Sequence, residues 1–210
     1  MYNQLQYISQ GNTVEEQTNN IHQALDAGCK WIQLRFKKHF SDDAFTLAEA
    51  VKMLCKEYSA IFIINDNVHL AKQLDADGVH LGLNDMNVEE ARVILGKTKI
   101  IGGTANTFED VLQRTAENCD YIGLGPFQFT ATKQNLSPIL GLEGYHSIIV
   151  QMKIKNIQIP IYAIGGVTLE NVDSLMKTGI HGIAVSGLIT HTENASQLIY
   201  QLNNKLYDTI

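Results

Sequence analysis

The sequence predicts an α/β fold, a single-domain (β/α)8 TIM barrel spanning residues 1–210. Three observations lead there. Short apolar runs alternate with helical patterns from end to end; there are eight of each; and no linker, low-complexity stretch or shift in composition divides the chain. Eight strands each followed by a helix is the count that closes a parallel sheet into a barrel, whereas a smaller number favours an open sheet.

The strands are expected at residues 5–9, 31–35, 61–64, 78–81, 100–104, 121–124, 159–164 and 183–186. Helical periodicity marks residues 14–26, 42–58, 68–74, 88–95, 108–118, 142–152, 169–178 and 195–207. Buried parallel strands read as nearly continuous apolar runs, as Ile61-Phe62-Ile63-Ile64 does. Gly28, Gly96 and Gly179 stand just past helix ends, where a left-handed residue is often needed. Thr107 and Thr168 precede helices as N-caps, and Asp110 supplies the acid of a capping box, which Asn171 does not. One long connection, residues 125–140, follows strand six and carries a polar Thr-Ala-Thr-Lys-Gln-Asn centre. A loop that long in a compact barrel is more often functional than accidental.

Composition narrows the function. The chain is 45% hydrophobic and 18% charged, an ordinary globular balance. No apolar run approaches the roughly 18–20 residues of a membrane span, and the N-terminus lacks the basic region and apolar stretch of a signal peptide, so a cytoplasmic location is expected. A net charge of −6, with no basic cluster longer than Lys37-Lys38, argues against nucleic acid as a partner. Cys29, Cys55 and Cys119 are odd in number, widely spaced and in no C-x-x-C pair; they read as small core hydrophobes rather than a disulfide framework or zinc site.

In a barrel of this kind the active site lies at the C-terminal ends of the strands, so the polar residues there form one group. Strand two runs into Gln33-Leu34-Arg35-Phe36-Lys37, with Gln33, Arg35 and Lys37 on one side by alternation. Strand three ends at Asn65-Asp66, and Asn84-Asp85 follow strand four. Strand five ends at Gly102-Gly103-Thr104; strand six leads to Thr130-Ala131-Thr132-Lys133; strands seven and eight end in Gly165-Gly166 and Ser186-Gly187. Taken singly, each has a bland reading: a solvated strand edge, an Asx turn, a polar loop, a close backbone contact. His80 reads as a hydrogen-bonded barrel residue rather than a metal ligand, and the other histidines have no partner at a telling spacing.

Together they say more. Asp66 and Asp85, from neighbouring strands, make a hard-oxygen pair suited to Mg²⁺, which is usually held by one or two carboxylates and substrate phosphate. Arg35, Lys37 and Lys133 then remain to balance a diphosphate of about −3. The glycines after strands seven and eight open backbone N–H groups to a second phosphate.

These motifs resemble those of the thiamine phosphate synthases over nearly the whole length. The matching segments are Gln33-Leu34-Arg35-Phe36-Lys37, Ile64-Asn65-Asp66, Gly78-Val79-His80-Leu81-Gly82 with Asp85, Gly125-Pro126 followed by Thr130-Ala131-Thr132-Lys133, and Ala163-Ile164-Gly165-Gly166-Val167-Thr168. The resemblance implies that Gln33, Leu34, Arg35, Phe36, Lys37, Asn65, Thr104 and Lys133 hold a pyrimidine diphosphate, with Arg35, Lys37 and Lys133 assisting its departure. It implies Mg²⁺ on Asp66 and Asp85. Thr130, Ala131, Thr132, Gly166, Ser186 and Gly187 hold a thiazole phosphate on the same reading. The implied chemistry is dissociative: diphosphate leaves first, and the thiazole nitrogen captures the cation. It needs no protein nucleophile, in keeping with the absence of a Ser-His or Cys-His pair from these residues.

Some positions depart from the family pattern. Leu83 stands where a Gln is frequent, Thr104 replaces a common Ser, and Asn106 replaces a common His; strand one ends Ser9-Gln10 instead of Thr-Asp and is assigned no role. The apolar-Ser pair usual at strand eight aligns with Ser186-Gly187, or with Val185-Ser186 if the loop has slipped by one. Three rivals remain: the related thiazole tautomerase, a silent precursor-binding barrel, and a sugar-phosphate isomerase. The acidic pair and the missing His disfavour the tautomerase, retention of the charged residues disfavours the silent barrel, and the three cations with two carboxylates disfavour the isomerase.

Overall fold

A computed structural model describes residues 2–36, 42–130 and 137–207. Eight parallel strands close in sequence order: β1 (Leu5–Ile8), β2 (Trp31–Leu34), β3 (Ile61–Asn65), β4 (Gly78–Leu81), β5 (Ile100–Ala105), β6 (Tyr121–Leu124), β7 (Ile161–Ile164) and β8 (Gly182–Val185). The ring is completed by β1 against β8, with Leu5 opposite Ile183 and Tyr7 opposite Val185. The helices are α1 (Val14–Asp26), α2 (Asp42–Glu57), α3 (Val68–Gln73), α4 (Val88–Leu95), α5 (Phe108–Ala116), α6 (Gly141–Ile154), α7 (Val172–Met176, entered through a 3₁₀ turn at Leu169–Asn171), α8 (Gly187–Thr190) and α9 (Ala195–Tyr207). No helix among the described residues is long and apolar enough to cross a membrane.

The expected elements recur with small shifts that have local causes. The seventh strand starts at Ile161 rather than 159, and Pro160 just before it has no N–H to give a ladder. Gly28, Gly96 and Gly179 adopt φ of +100°, +89° and +97° past their helices, as the punctuation required. Thr107 and Asp110 form the capping box. Asn171 corrects the sequence reading: its side chain accepts the Thr168 N–H at 3.0 Å, filling the role denied to it, because an amide oxygen accepts as a carboxylate does. The helix α8 has no counterpart in the sequence pattern.

Alternation along the strands sorts the side chains into two clusters. Tyr7, Ile32, Leu34, Phe62, Ile64, Val79 and Ile101 point outward into the layer between barrel and helices. Inside, Ile8, Trp31, Ile63, Tyr121, Tyr162 and Ala184 form a separate core. Trp31, Tyr121 and Tyr162 meet edge to face with centroids 5.0–5.5 Å apart, a favoured aromatic geometry. These rings fill the barrel beneath the C-terminal mouth, where the polar ends of the strands collect.

Candidate active site

At that mouth lies a cavity of about 260 Å³ to which every strand, or the loop just after it, contributes. From β2 to β5 come Gln33, Arg35, Asn65, His80, Thr104 and Asn106; from the β6 loop come Gly125, Pro126, Thr130 and Ser137. The other arc is backbone-rich: Gly165 and Gly166 after β7, then Val185, Ser186, Gly187 and Leu188 at β8 and α8, with Ile8 from β1.

The polar arc is built from inward-facing positions on adjacent strands. Gln33 and Asn65 are 2% and 8% exposed, and Gln33 Nε2 donates to Asn65 Oδ1 at 2.7 Å. Gln33 Oε1 is buried without a hydrogen-bond partner, so the pair presents an unused acceptor. His80, 5% exposed, contacts the Tyr121 hydroxyl at 3.0 Å through Nδ1 and Thr104 Oγ1 at 3.1 Å through Nε2. Burial pushes the Tyr121 phenol well above its ordinary pKa. Arg35 is held through its backbone, its N–H donating to Ser9 Oγ at 2.9 Å and its carbonyl accepting Gln17 Nε2 at 3.0 Å.

The glycine arc is shaped by close backbone approach. Gly165 and Gly166 have φ of +84° and +73°. A Cβ on Gly165 would stand 2.9 Å from Pro126 Cβ, and one on Gly166 would stand 2.8 Å from both Gln128 Cβ and Phe129 O. These glycines therefore let the β6 loop lie against the end of β7, where Phe127 and Gln128 N–H donate to Ile164 and Gly165 carbonyls at 2.8 and 2.9 Å. Ser186 Oγ donates to Ile8 O at 2.6 Å, which ties α8 to β1. Either strand-eight pair reaches the cavity, since Val185, Ser186 and Gly187 all line it.

Asp66 and Asp85 sit in the loops after β3 and β4, outside the cavity lining itself. Asp66 holds a left-handed φ of +65° while its N–H donates to His80 O at 2.9 Å. The exposed Asp85 accepts the Gly82 N–H at 2.5 Å through Oδ2. Among the described residues no cluster of three or more His, Cys, Asp or Glu side chains could hold a metal alone. Mg²⁺ does not need one: two carboxylates, waters and phosphate oxygens make a normal set for it, and Asp66 and Asp85 have that chemistry.

Leu34 and Phe36 lie in the apolar layer between barrel and helices, not on the cavity. Lys37, Ala131, Thr132 and Lys133 lie outside the described residues. Ser137 and Arg114 went unnoticed in the sequence. Ser137 lines the cavity and donates to Asn106 Oδ1 at 2.9 Å, while Asn106 Nδ2 donates to Gly125 O. Arg114, 3% exposed, pairs with Glu117 at 2.8 Å and donates to the carbonyls of Thr104 and Gly82 at 3.1 and 2.8 Å. The available signal was an Arg on the buried face of α5, in register with Phe108 and Val111.

A family model described as thiamine monophosphate synthase matches residues 5–189. A thiamine-phosphate synthase from Flavobacterium psychrophilum is 75% identical over 206 residues, covering 98% of this chain and all of that one. The one from Flavobacterium johnsoniae is 62% identical over 210 residues, covering 100% and 99%. Among solved structures, a thiamine phosphate pyrophosphorylase from Pyrococcus furiosus superposes with a TM-score of 0.84 at 29% identity, covering 98% of this chain and 96% of that one. The chain belongs to the thiamine monophosphate synthase family of transferases.

Proposed function

We propose that this chain joins a hydroxymethyl-aminopyrimidine diphosphate to a hydroxyethylthiazole phosphate, or its carboxy form, giving thiamine phosphate and pyrophosphate with Mg²⁺ as cofactor. The observation that carries the reading is the two-sided cavity: buried amides, imidazole and hydroxyl on one arc, glycine backbone on the other. A flat aminopyrimidine suits the first, because Gln33 Oε1 is a buried acceptor awaiting an N–H. A phosphate suits the second, where the first amides of α8, Gly187 and Leu188, precede any intrahelical acceptor.

The carbon–oxygen bond to the diphosphate breaks first, its electron pair leaving with pyrophosphate and the positive charge spreading into the aminopyrimidine. The thiazole nitrogen then donates its lone pair to the methylene carbon. On this reading Arg35, Lys37 and Lys133 supply positive charge to offset the negative charge that develops on the leaving diphosphate, the kind of stabilisation that is usually the largest catalytic term. Asp66 and Asp85 would hold Mg²⁺, and a metal there would supply charge neutralisation for the leaving diphosphate. Thr130, Ala131, Thr132, Gly166, Ser186 and Gly187 hold the thiazole phosphate, and the cavity walls keep water from the cation. The three cysteines are free and buried, in keeping with a reducing cytoplasmic setting and with a reaction that uses no thiol.

The tautomerase reading requires a group that gains and loses a proton near neutrality. Asn106 does not, and its amide is already engaged with Gly125 and Ser137. NMR of the carboxylated thiazole phosphate with protein alone tests this: no conversion between tautomers is expected, and rapid conversion would put the tautomerase reading first.

A further inference from the structure

We infer that His80 is a positioning residue: a buried hydrogen-bond chain running Gln6–Tyr121–His80–Thr104 turns the Thr104 hydroxyl into a donor aimed at the cavity, for an acceptor atom of the pyrimidine diphosphate. This rests on the proposed substrate for that cavity.

The direction of the chain follows from its first member. Gln6 Nε2 donates to the Tyr121 hydroxyl at 3.2 Å, and an amide nitrogen has no other role. The phenol oxygen accepts there, so its own proton goes to its remaining partner, His80 Nδ1, 3.0 Å away. A neutral imidazole that accepts at Nδ1 carries its proton on Nε2. That proton goes to Thr104 Oγ1 at 3.1 Å, and the Thr104 hydroxyl proton is left to face the cavity that Thr104 lines. Burial holds the phenol in its protonated form, as the chain requires.

The backbone makes room for this chain. A Cβ on Gly102 would overlap the Tyr121 ring, and one on Gly123 would press on His80 Cε1 at 3.2 Å. The Thr104 carbonyl is fixed in turn by Arg114 Nε at 3.1 Å. The group on His80 Nδ1 is a phenol, not the carboxylate that orients the histidine of a nucleophilic triad. The pair orients the Thr104 hydroxyl and does not activate it as a nucleophile.

The test begins with ¹⁵N NMR of unmodified protein carrying [¹⁵N]histidine, the His80 signals being assigned by their loss in His80→Gln. The expected state is neutral, protonated at Nε2 and unprotonated at Nδ1. A proton on Nδ1 would overturn the inference, since Thr104 would then donate to the ring and face the cavity as an acceptor. Steady-state kinetics supply the second readout. His80→Leu should lower kcat/KM for the pyrimidine diphosphate about tenfold, the worth of one ordinary hydrogen bond, with KM for the thiazole phosphate unchanged. His80→Gln, which keeps an N–H near the Nε2 position, should recover most of the loss. Unaltered kcat/KM in His80→Leu, or equal losses in both variants, would also overturn it. The tautomer is read without turnover, so failure of the unmodified protein to couple its substrates would count against the proposed function alone.

Discussion

Gln33 gives its amide N–H to Asn65 across neighbouring strands at 2.7 Å and keeps a buried carbonyl oxygen with no partner. An unpaired buried acceptor costs about 1–3 kcal/mol, so the free protein is destabilised at a point where a ligand N–H would relieve it. Gln33→Met removes that acceptor but leaves Asn65 Oδ1 unpaired in its place. Thermal unfolding should therefore move by no more than about 2–4 °C. Titration of the pyrimidine diphosphate should show KM raised about tenfold or more, while KM for the thiazole phosphate holds.

The acidic pair can be tested without confusing charge with backbone strain. Asp66 occupies φ +65°, which Asn tolerates and most other residues do not. Asp66→Asn should melt within a few degrees of the parent yet lose most activity or demand far more Mg²⁺. Asp85→Ala should raise the Mg²⁺ requirement likewise, and EDTA should abolish turnover by the parent. Full activity in metal-free buffer would rule the carboxylates out as Mg²⁺ ligands.

Gly166 combines positive φ with contacts at 2.8 Å to the β6 loop. Gly166→Ala adds about 1–2 kcal/mol of left-handed strain to the steric clash. Calorimetry should show a lower Tm, and the thiazole phosphate should bind more weakly than the pyrimidine diphosphate is affected. A variant equal to the parent in both would remove any need for glycine there.

The strands were legible because each is buried on both faces, so Ile61-Phe62-Ile63-Ile64 needs no neighbour to be recognised. Arg35, Asn65, Thr104 and Gly166 could be placed at the mouth because strand ends fix them there. Leu34 and Phe36 share the motif but not the cavity wall: alternation turns their side chains into the outer layer while Gln33 and Arg35 face the cavity. The four residues of α8 are too few for any periodicity to register. Gln6, His80, Thr104 and Tyr121 meet only because the barrel closes, across separations of up to 115 positions. No local pattern marks such a network.

Alkaline pH supplies a check on the core. Burial pushes the Cys29 thiol up to about 11 and those of Cys55 and Cys119 up to about 12, from an ordinary 9.0. The folded chain keeps protons that the unfolded chain releases. The stability they contribute is fully present below about pH 9 and is lost as pH rises through 11 to 12. Urea midpoints should hold steady up to about pH 9 and decline above it, and a thiol reagent should find three reactive groups only after denaturation.

Pyrophosphate release measured alongside thiamine phosphate tests the central claim most directly. With both substrates and Mg²⁺ present, the cavity reading predicts the two products in equal amounts, and neither when the pyrimidine diphosphate or the metal is withheld. Thiamine phosphate formed without pyrophosphate, or no coupling by folded protein with Mg²⁺ and both substrates, would contradict it.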